Sequence, residues 1–248
     1  MEKKIADIEY YANIITNSIL QAISSSAPES AIAFSGGLDS SFLAYLSRRK
    51  YGLYVCGLAE SYDVRAARKS VNILGSDLHE IIVDEGEIIE TALTVKKLDP
   101  VINLSDLGYE TVLALLLERI NEKNLITGQG SDEIFYGYNR FKEKPGLDNS
   151  ESIRKLFEVT LPREKKIASH FGKKLILPYL QDPIIEIGHL PRSIHIVDGI
   201  NKFILRQTAI LSGMSSSISM AKKKAAQYGS GISRILAKNR SSLGFNHR

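Results

Sequence analysis

Apolar residues recur at helical spacing from the start of the chain. Ile5, Ile8, Tyr11, Ile15, Ile19 and Ile23 fall on one face, which predicts a helix over 5–23. Short apolar runs then alternate with amphipathic stretches. Runs at 31–34, 53–58, 78–83 and 125–127 predict strands, and 40–50, 62–74, 85–97 and 111–121 predict helices. In 62–74 the buried stripe is Val64, Ala67, Val71 and Leu74. This alternation predicts an α/β fold, a parallel sheet of about five strands with helices on both faces. Ligands of such sheets bind beyond the carboxyl ends of the strands. After Phe141 the alternation stops. Positions 142–149 are polar, with Pro145 and Gly146, and read as a loop. The remainder reads as mostly helical, interrupted at Pro162, Pro178, Pro183 and Pro191. The expectation is one domain over 1–248: an α/β nucleotide-binding core at 1–141, then a mostly helical part at 142–248.

At 248 residues, 44% hydrophobic and 24% charged, the chain has a globular composition. No apolar run approaches the roughly 20 residues of a membrane span, and the N-terminus does not read as a signal peptide. A single cysteine, Cys56, sits inside an apolar run. It reads as a small core residue, and the absence of any disulfide within the chain fits a reducing cytoplasm. The net charge of +4 hides an asymmetry. Beyond Asp198 there is no acid, but there are Lys202, Arg206, Lys222, Lys223, Lys224, Arg234, Lys238, Arg240 and Arg248. Such a basic tail suits an anionic partner, a polyphosphate or a nucleic acid backbone, or else is a solvated tail. The polyphosphate reading has the last ~50 residues closing over a bound triphosphate.

The most informative run is Ser35-Gly36-Gly37-Leu38-Asp39-Ser40-Ser41, between the strand 31–34 and a helix start. Glycines let the backbone approach an anion, and the free N–H groups and dipole of the helix attract negative charge. The serine hydroxyls add donors, and Asp39 can hold Mg²⁺ bridged to phosphate. The Gly-Lys-Ser/Thr ending of the common P-loop is missing. The heptad resembles the pyrophosphate loop of the ATP pyrophosphatases, which split ATP between its α and β phosphates and adenylate a substrate. A second loop, Gly128-Gln129-Gly130-Ser131-Asp132-Glu133, follows the strand 125–127 and faces the same end of the sheet.

With that loop the chain resembles the synthetase domain of asparagine synthetase. The similarity runs from about residue 10 to about residue 235 and includes TGQGSDEIFYGYNRF (127–141), LPREKKIA (161–168), PYLQ (178–181), VDGINKFILRQ (197–207) and KKAAQYGSG (223–231). The resemblance implies an adenine nucleotide alpha-hydrolase-like fold and an ATP-dependent, AMP-forming amide ligase using ATP and Mg²⁺. Asp39 and Asp132 match the family's metal-binding aspartates, although Asp132 alone could equally be a helix N-cap. Lys202 matches the lysine that neutralises charge on phosphate and on the tetrahedral intermediate. Arg206, one helical turn on, either binds pyrophosphate or caps the helix. Ser35, Gly36, Gly37, Leu38, Asp39, Ser40, Ser41 and Gly128 match the phosphate loops. Gly57 matches the adenine-holding segment, while Ala33 and Phe34 either support the adenosine or pack the core. His79 reads as structural, and the remaining histidines show no metal-ligand spacing.

Two departures qualify the resemblance. Full-length asparagine synthetases begin with a glutaminase domain and a catalytic cysteine, which this sequence lacks, so the expected nitrogen source is free ammonia, an amine or a separate glutaminase subunit. The family's carboxylates in GEGSDE and PFLD are replaced by Gln129 and Gln181. With Glu133 these glutamines are expected to line the substrate pocket, Gln129 near the chemistry, and Glu133 or Asp182 could supply a missing charge. The partners implied are a small carboxylate and ammonia or an amine, with no membrane and with a homodimer compatible. Alternative readings are a tRNA-modifying adenylase of the same superfamily and a nucleotide-binding protein that has lost its chemistry.

Overall fold

β1 (Ser30–Ala33) is the central strand of the computed structural model, which describes residues 2–25, 29–144, 146–221 and 229–245. β2 (Gly52–Gly57) and β3 (Leu78–Ile82) extend the sheet on one side, and β4 (Asn124–Ile126) and β5 (Lys174–Ile176) on the other. All four pairings are parallel, as strand–helix alternation requires. β5 falls where the sequence reads as mostly helical. Its three residues are too few to show a period, and only the pairing of Leu125 with Leu175 reveals it.

Side chains alternate across the pleat, so each strand feeds two cores. Ile32, Leu53, Val55 and Ile126 face a cluster built with α1 (Glu2–Ser24), α2 (Leu38–Leu46) and α3 (Tyr62–Leu74). Ala31, Cys56 and Leu125 face the other, built with α4 (Glu85–Leu98) and α5 (Leu104–Arg119). Helices therefore cover both faces. Local chemistry fixes their ends. The Ser61 hydroxyl caps α3, which stops at Gly75 in the left-handed region, and Asp84 with Glu87 forms a capping box on α4. α2 ends at Leu46, short of the expected 50, because Arg48 and Arg49 take φ of 50° and 62°. α5 begins at Leu104, well before the expected 111. Asn103 caps it, accepting from the Asp106 N–H at 2.8 Å, and the polar first turns hide that start in a hydropathy reading.

The second half adds α6 (Ser131–Ile134), α7 (Asn139–Glu143) and α8 (Ser150–Lys155), then a π turn (Leu156–Thr160) running into α9 (Leu161–His170). α10 (Asp182–Gly188), α11 (Arg192–His195), α12 (Phe203–Leu211), α13 (Ser216–Ser219) and α14 (Ile232–Lys238) follow. The described parts of the last fifty residues are packed into the two cores. Ile204, Leu205 and Ala209 of α12 are buried in the first core with Ile15 and Ile19 of α1. Ile232 and Leu236 of α14 are fully buried in the second. Of the polar segment at 142–149, Lys142 and Glu143 end α7 and the rest leads to α8, with position 145 outside the described residues. Lys222, Lys223 and Lys224, and most of the motif at 223–231, also lie outside them. Among the described residues, no helix is long and apolar enough to cross a membrane.

Candidate functional site

The order β3-β2-β1-β4-β5 places a topological switch between β1 and β4, where the chain leaves the sheet in opposite directions. Loops after two such strands part and leave a crevice at their carboxyl ends. Both glycine-rich motifs emerge there. A Cβ added to Gly128 would lie 3.1 Å from the Asp39 Cβ, so the second loop is laid directly on the first.

The first loop is held before any ligand arrives. Gly36 has φ +71°, and a Cβ there would meet the Ala66 backbone at 2.5 Å, so α3 admits only glycine. The Ser70 hydroxyl donates to the Gly36 carbonyl at 2.9 Å, and the Ser35 N–H donates to Ser40 Oγ at 3.2 Å. Gly37 caps α2 without a side-chain bond, and its own Cβ position is open except for the Ser35 hydroxyl at 3.6 Å. The start of α2 is thus open on the Gly37 side, and a helix start of this kind suits an anion.

Four chain segments meet beside this loop. Lys202 precedes α12 with φ of 54°, a left-handed conformation unusual for lysine. Its Nζ lies 2.7 Å from Asp39 Oδ1 and 2.7 Å from Asp132 Oδ1, and it donates to Ser131 Oγ at 3.1 Å. The Ser131 hydroxyl donates to Asp39 Oδ1 at 2.9 Å, and the Tyr179 hydroxyl to the Asp39 carbonyl at 2.9 Å. A Cβ at Gly137 would fall 2.0 Å from Asp132 Oδ1 and 2.3 Å from Lys202 Cε, so only glycine allows this closeness. Two carboxylates held within twice 2.7 Å of each other fit a small hard cation whose remaining ligands come from phosphate and water. Among the described residues no group of three or more His, Cys, Asp and Glu could hold a metal ion.

A cavity of about 220 Å³ opens over this cluster. Its apolar wall is Tyr54, Val55, Cys56, Val112, Leu113 and Leu116. Its polar wall includes Ser35, Asp39, Ser40, Gln129, Asp132 and Glu164, with Ala33, Phe34 and Gly128 also lining it. Gln129 Nε2 donates to Glu164 Oε1 at 2.6 Å. Burial pushes Glu164 well above the usual carboxylate range, and its acidic neighbours Glu110 and Glu133 push the same way, so the acids of this group resist being charged together. Behind it, Arg163 donates to Asp99 at 2.6 Å and Asp106 at 3.1 Å, with Glu110 at 3.5 Å. Burial raises Glu110 to about 8, against the attraction of Arg163.

Not every expected residue arrives. Gly36, Gly37 and Leu38 line a separate recess of about 130 Å³ with Lys69 and Ser217, and Ser41 is fully buried. Gly57 packs on the Ser230 backbone, where a Cβ would meet a carbonyl at 2.8 Å, and Val55 and Cys56 take its expected place on the cavity wall. Glu133 is turned away from the cavity, its carboxylate accepting from the Tyr138 hydroxyl. Gln181 precedes α10 and donates to the Leu177 carbonyl at 3.4 Å; neither it nor Asp182 lines the cavity. Arg206 gives its donors to the carbonyls of Asn201 (2.9 Å), Ser219 (2.6 Å) and Ala221 (3.2 Å), which braces the segment after α12. His79 stacks on Tyr54 with ring centroids 4.6 Å apart. Glu164, Tyr179 and Gly137 were missed by sequence reasoning. A signal existed for Glu164: it occupies the buried stripe Leu161, Glu164, Ile167 and Ala168 of α9, where an acid is out of place.

The model of the asparagine synthase family matches residues 17–167. The glutamine-hydrolyzing asparagine synthetase of Gallus gallus is 31% identical over 196 residues, covering 70% of this chain and 35% of its own. A Methanocaldococcus jannaschii protein designated a glutamine-hydrolyzing asparagine synthetase is 26% identical over 286 aligned positions, covering 97% of this chain and 52% of its own. The chain therefore spans about half the length of the archaeal relative and about a third of the avian one. The solved NMN synthetase of Francisella tularensis aligns over 97% of both chains with a TM-score of 0.37 and 13% identity.

Proposed function

The chain belongs to the asparagine synthase family, and from that premise we propose that it is an ATP-dependent, AMP-forming amide ligase. The observation that carries the reading is the cluster of Asp39, Ser131, Asp132 and Lys202, brought from distant segments to the β1–β4 switch beneath a half-apolar cavity. The apolar wall around Val55 and Leu116 suits an adenine ring, and Ser35, Asp39 and Ser40 of the first loop suit the phosphates. Asp39 and Asp132 would hold Mg²⁺ together with phosphate oxygens of ATP, and the bound ion supplies charge neutralisation on the triphosphate.

The chain's own groups then do three things. Loop amides and serine hydroxyls orient the triphosphate so that a substrate carboxylate approaches the α-phosphorus in line with the departing pyrophosphate. Lys202, relieved of the two carboxylates it now bridges, turns to the phosphate and neutralises charge as the bond breaks. Gln129, on the wall of the cavity, faces the acyl group with a neutral amide. Ammonia or a small amine, from solution or from a separate glutaminase, attacks the acyl-adenylate and releases AMP. Three of the described basic residues of the tail are already engaged within the chain. Lys202 is buried in ion pairs, Arg206 is held by carbonyls, and Lys238 pairs with Glu85 at 3.4 Å. With Gln129 neutral, L-aspartate is expected to be a poor acceptor.

The test is MgATP binding by calorimetry in Asp39→Asn and Asp132→Asn. Each change keeps shape and removes one hard anionic ligand, so affinity is expected to fall at least tenfold and the dependence on Mg²⁺ to weaken. Unchanged, Mg²⁺-dependent binding in the double variant would contradict the assignment.

A further inference from the structure

We infer that Glu164 is the proton acceptor for the nitrogen nucleophile, and that Gln129 positions it. The inference rests on the adenylation reading above and assigns its second half to a residue outside both glycine-rich loops.

An amine that attacks an acyl carbon must lose a proton, so a base within reach of the acyl group speeds the step. The cavity-lining carboxylates are Asp39, Asp63, Asp132 and Glu164. Asp39 and Asp132 hold Lys202 at 2.7 Å each. Asp63 lies at the start of α3, against the backbone of Gly229, where a Cβ would come within 2.0 Å of its Oδ1. Glu164 is different. It is only 5% exposed and still lines the cavity, and its single hydrogen bond among the described residues is the 2.6 Å contact from Gln129 Nε2. That amide fixes one carboxylate oxygen in place and leaves the other free of such a bond.

The surroundings suit proton transfer. Burial most of all, and then Glu110 of α5 and Glu133 of α6, disfavour the charged form of Glu164, while Arg163 on its own helix favours it. An upward shift makes the ionised carboxylate a stronger proton acceptor than an ordinary glutamate. The neutral Gln129 then has a reason. A glutamate there would set two carboxylates 2.6 Å apart, whereas the amide donates to Glu164 and keeps its orientation.

The step balances without a further reactant. The nitrogen lone pair forms the C–N bond, and the acyl C–O bond to the AMP phosphate breaks. AMP leaves with that electron pair, and the proton from nitrogen passes to Glu164, which returns it to solvent. The nucleophile that fits is ammonia or a primary amine in its uncharged form.

The experiment separates the two half-reactions in the full chain. Carboxylate-dependent exchange of labelled pyrophosphate into ATP reports adenylation, run over the protein amino acids and short dicarboxylates. AMP release on adding ammonium chloride reports transfer. In Glu164→Gln, which keeps the size and a partner for Gln129, exchange is expected to stay within about twofold. Transfer is expected to fall on the order of 10²–10⁴-fold, with loss of the rising limb of its pH profile. Exchanging the two groups, in Gln129→Glu with Glu164→Gln, should recover transfer at least tenfold over Glu164→Gln alone. Normal transfer in Glu164→Gln overturns the inference, and so does an equal loss of exchange and transfer, which is the signature of a structural residue. No exchange with any carboxylate in the unaltered protein overturns the adenylation reading itself, an outcome distinct from the other two.

Discussion

Lys202→Met removes the cation from the cluster while keeping the length of the side chain. Lys202 is 3% exposed and its ammonium bridges two carboxylates at 2.7 Å. Breaking a buried ion pair by deleting one partner costs about 3–5 kcal/mol, because the other charge is left without compensation. Here two charges are left. The Asp132 side chain is 25% exposed, however, and the Ser131 hydroxyl still donates to Asp39 at 2.9 Å, so the lower end applies. A loss of about 3 kcal/mol in a chain of this size lowers Tm by roughly 6–12 °C. Calorimetry in EDTA measures it. Millimolar MgCl₂ should restore part of the loss, since two apposed carboxylates without a lysine are a better cation site. Asp39→Asn in the Lys202→Met background should also be less damaging than either change alone would suggest, a coupling read from the double-mutant cycle. A Tm shift under about 2 °C, or strict additivity, would refute the view that Lys202 balances this pair.

Further expectations follow from single positions. Glu110 is held protonated by burial, with a pKa of about 8 against an ordinary 4.5, so its stabilisation is fully present below pH 4.5 and is lost as pH rises through 8. Glu110→Gln should leave stability at pH 5 nearly unchanged and raise it at pH 9 on the order of 3 kcal/mol; parallel pH profiles in denaturant titrations would argue against a neutral Glu110. Gly137→Ala drives a methyl group into Asp132 Oδ1 and Lys202 Cε, and should weaken MgATP binding more than tenfold while costing about 1–3 kcal/mol of stability. Wild-type affinity by calorimetry would show that the loop yields freely. Burial pushes the Cys56 thiol up to about 12, so Ellman's reagent at pH 8 should react with it far more slowly than with a free thiol; prompt labelling of the native protein would contradict that burial.

The α/β core was legible because its signals are local. Strands of four to six residues with flanking turn residues, and stripes such as Val64, Ala67 and Val71, carry their own period. Both glycine loops were legible because glycine at a strand end has a backbone reason, as Gly36 shows with its φ of +71° and the Ala66 backbone beside it. What stayed hidden depends on pairing. β5 is a strand only because β4 lies beside it. The convergence of Lys202 on Asp39 spans 163 positions and needs a left-handed residue ahead of α12 to aim it. Gln181 stands outside the cavity for a related reason. A motif fixes the neighbours of a residue along the chain, while the turn at Pro178–Leu180 decides which way its side chain leaves. Glu164 is the opposite case, a residue whose chemistry appears only when the stripe of α9 is seen to face a cavity.

Adenylation of a carboxylate breaks ATP between its α and β phosphates. ATP labelled at the α-phosphate, incubated with Mg²⁺, a panel of carboxylates and ammonium chloride, distinguishes the outcomes by the labelled product. The expected products are labelled AMP and unlabelled pyrophosphate, dependent on one carboxylate and abolished in Asp39→Asn. Labelled ADP with released phosphate, or AMP formed at the same rate without any carboxylate, would contradict that adenylation.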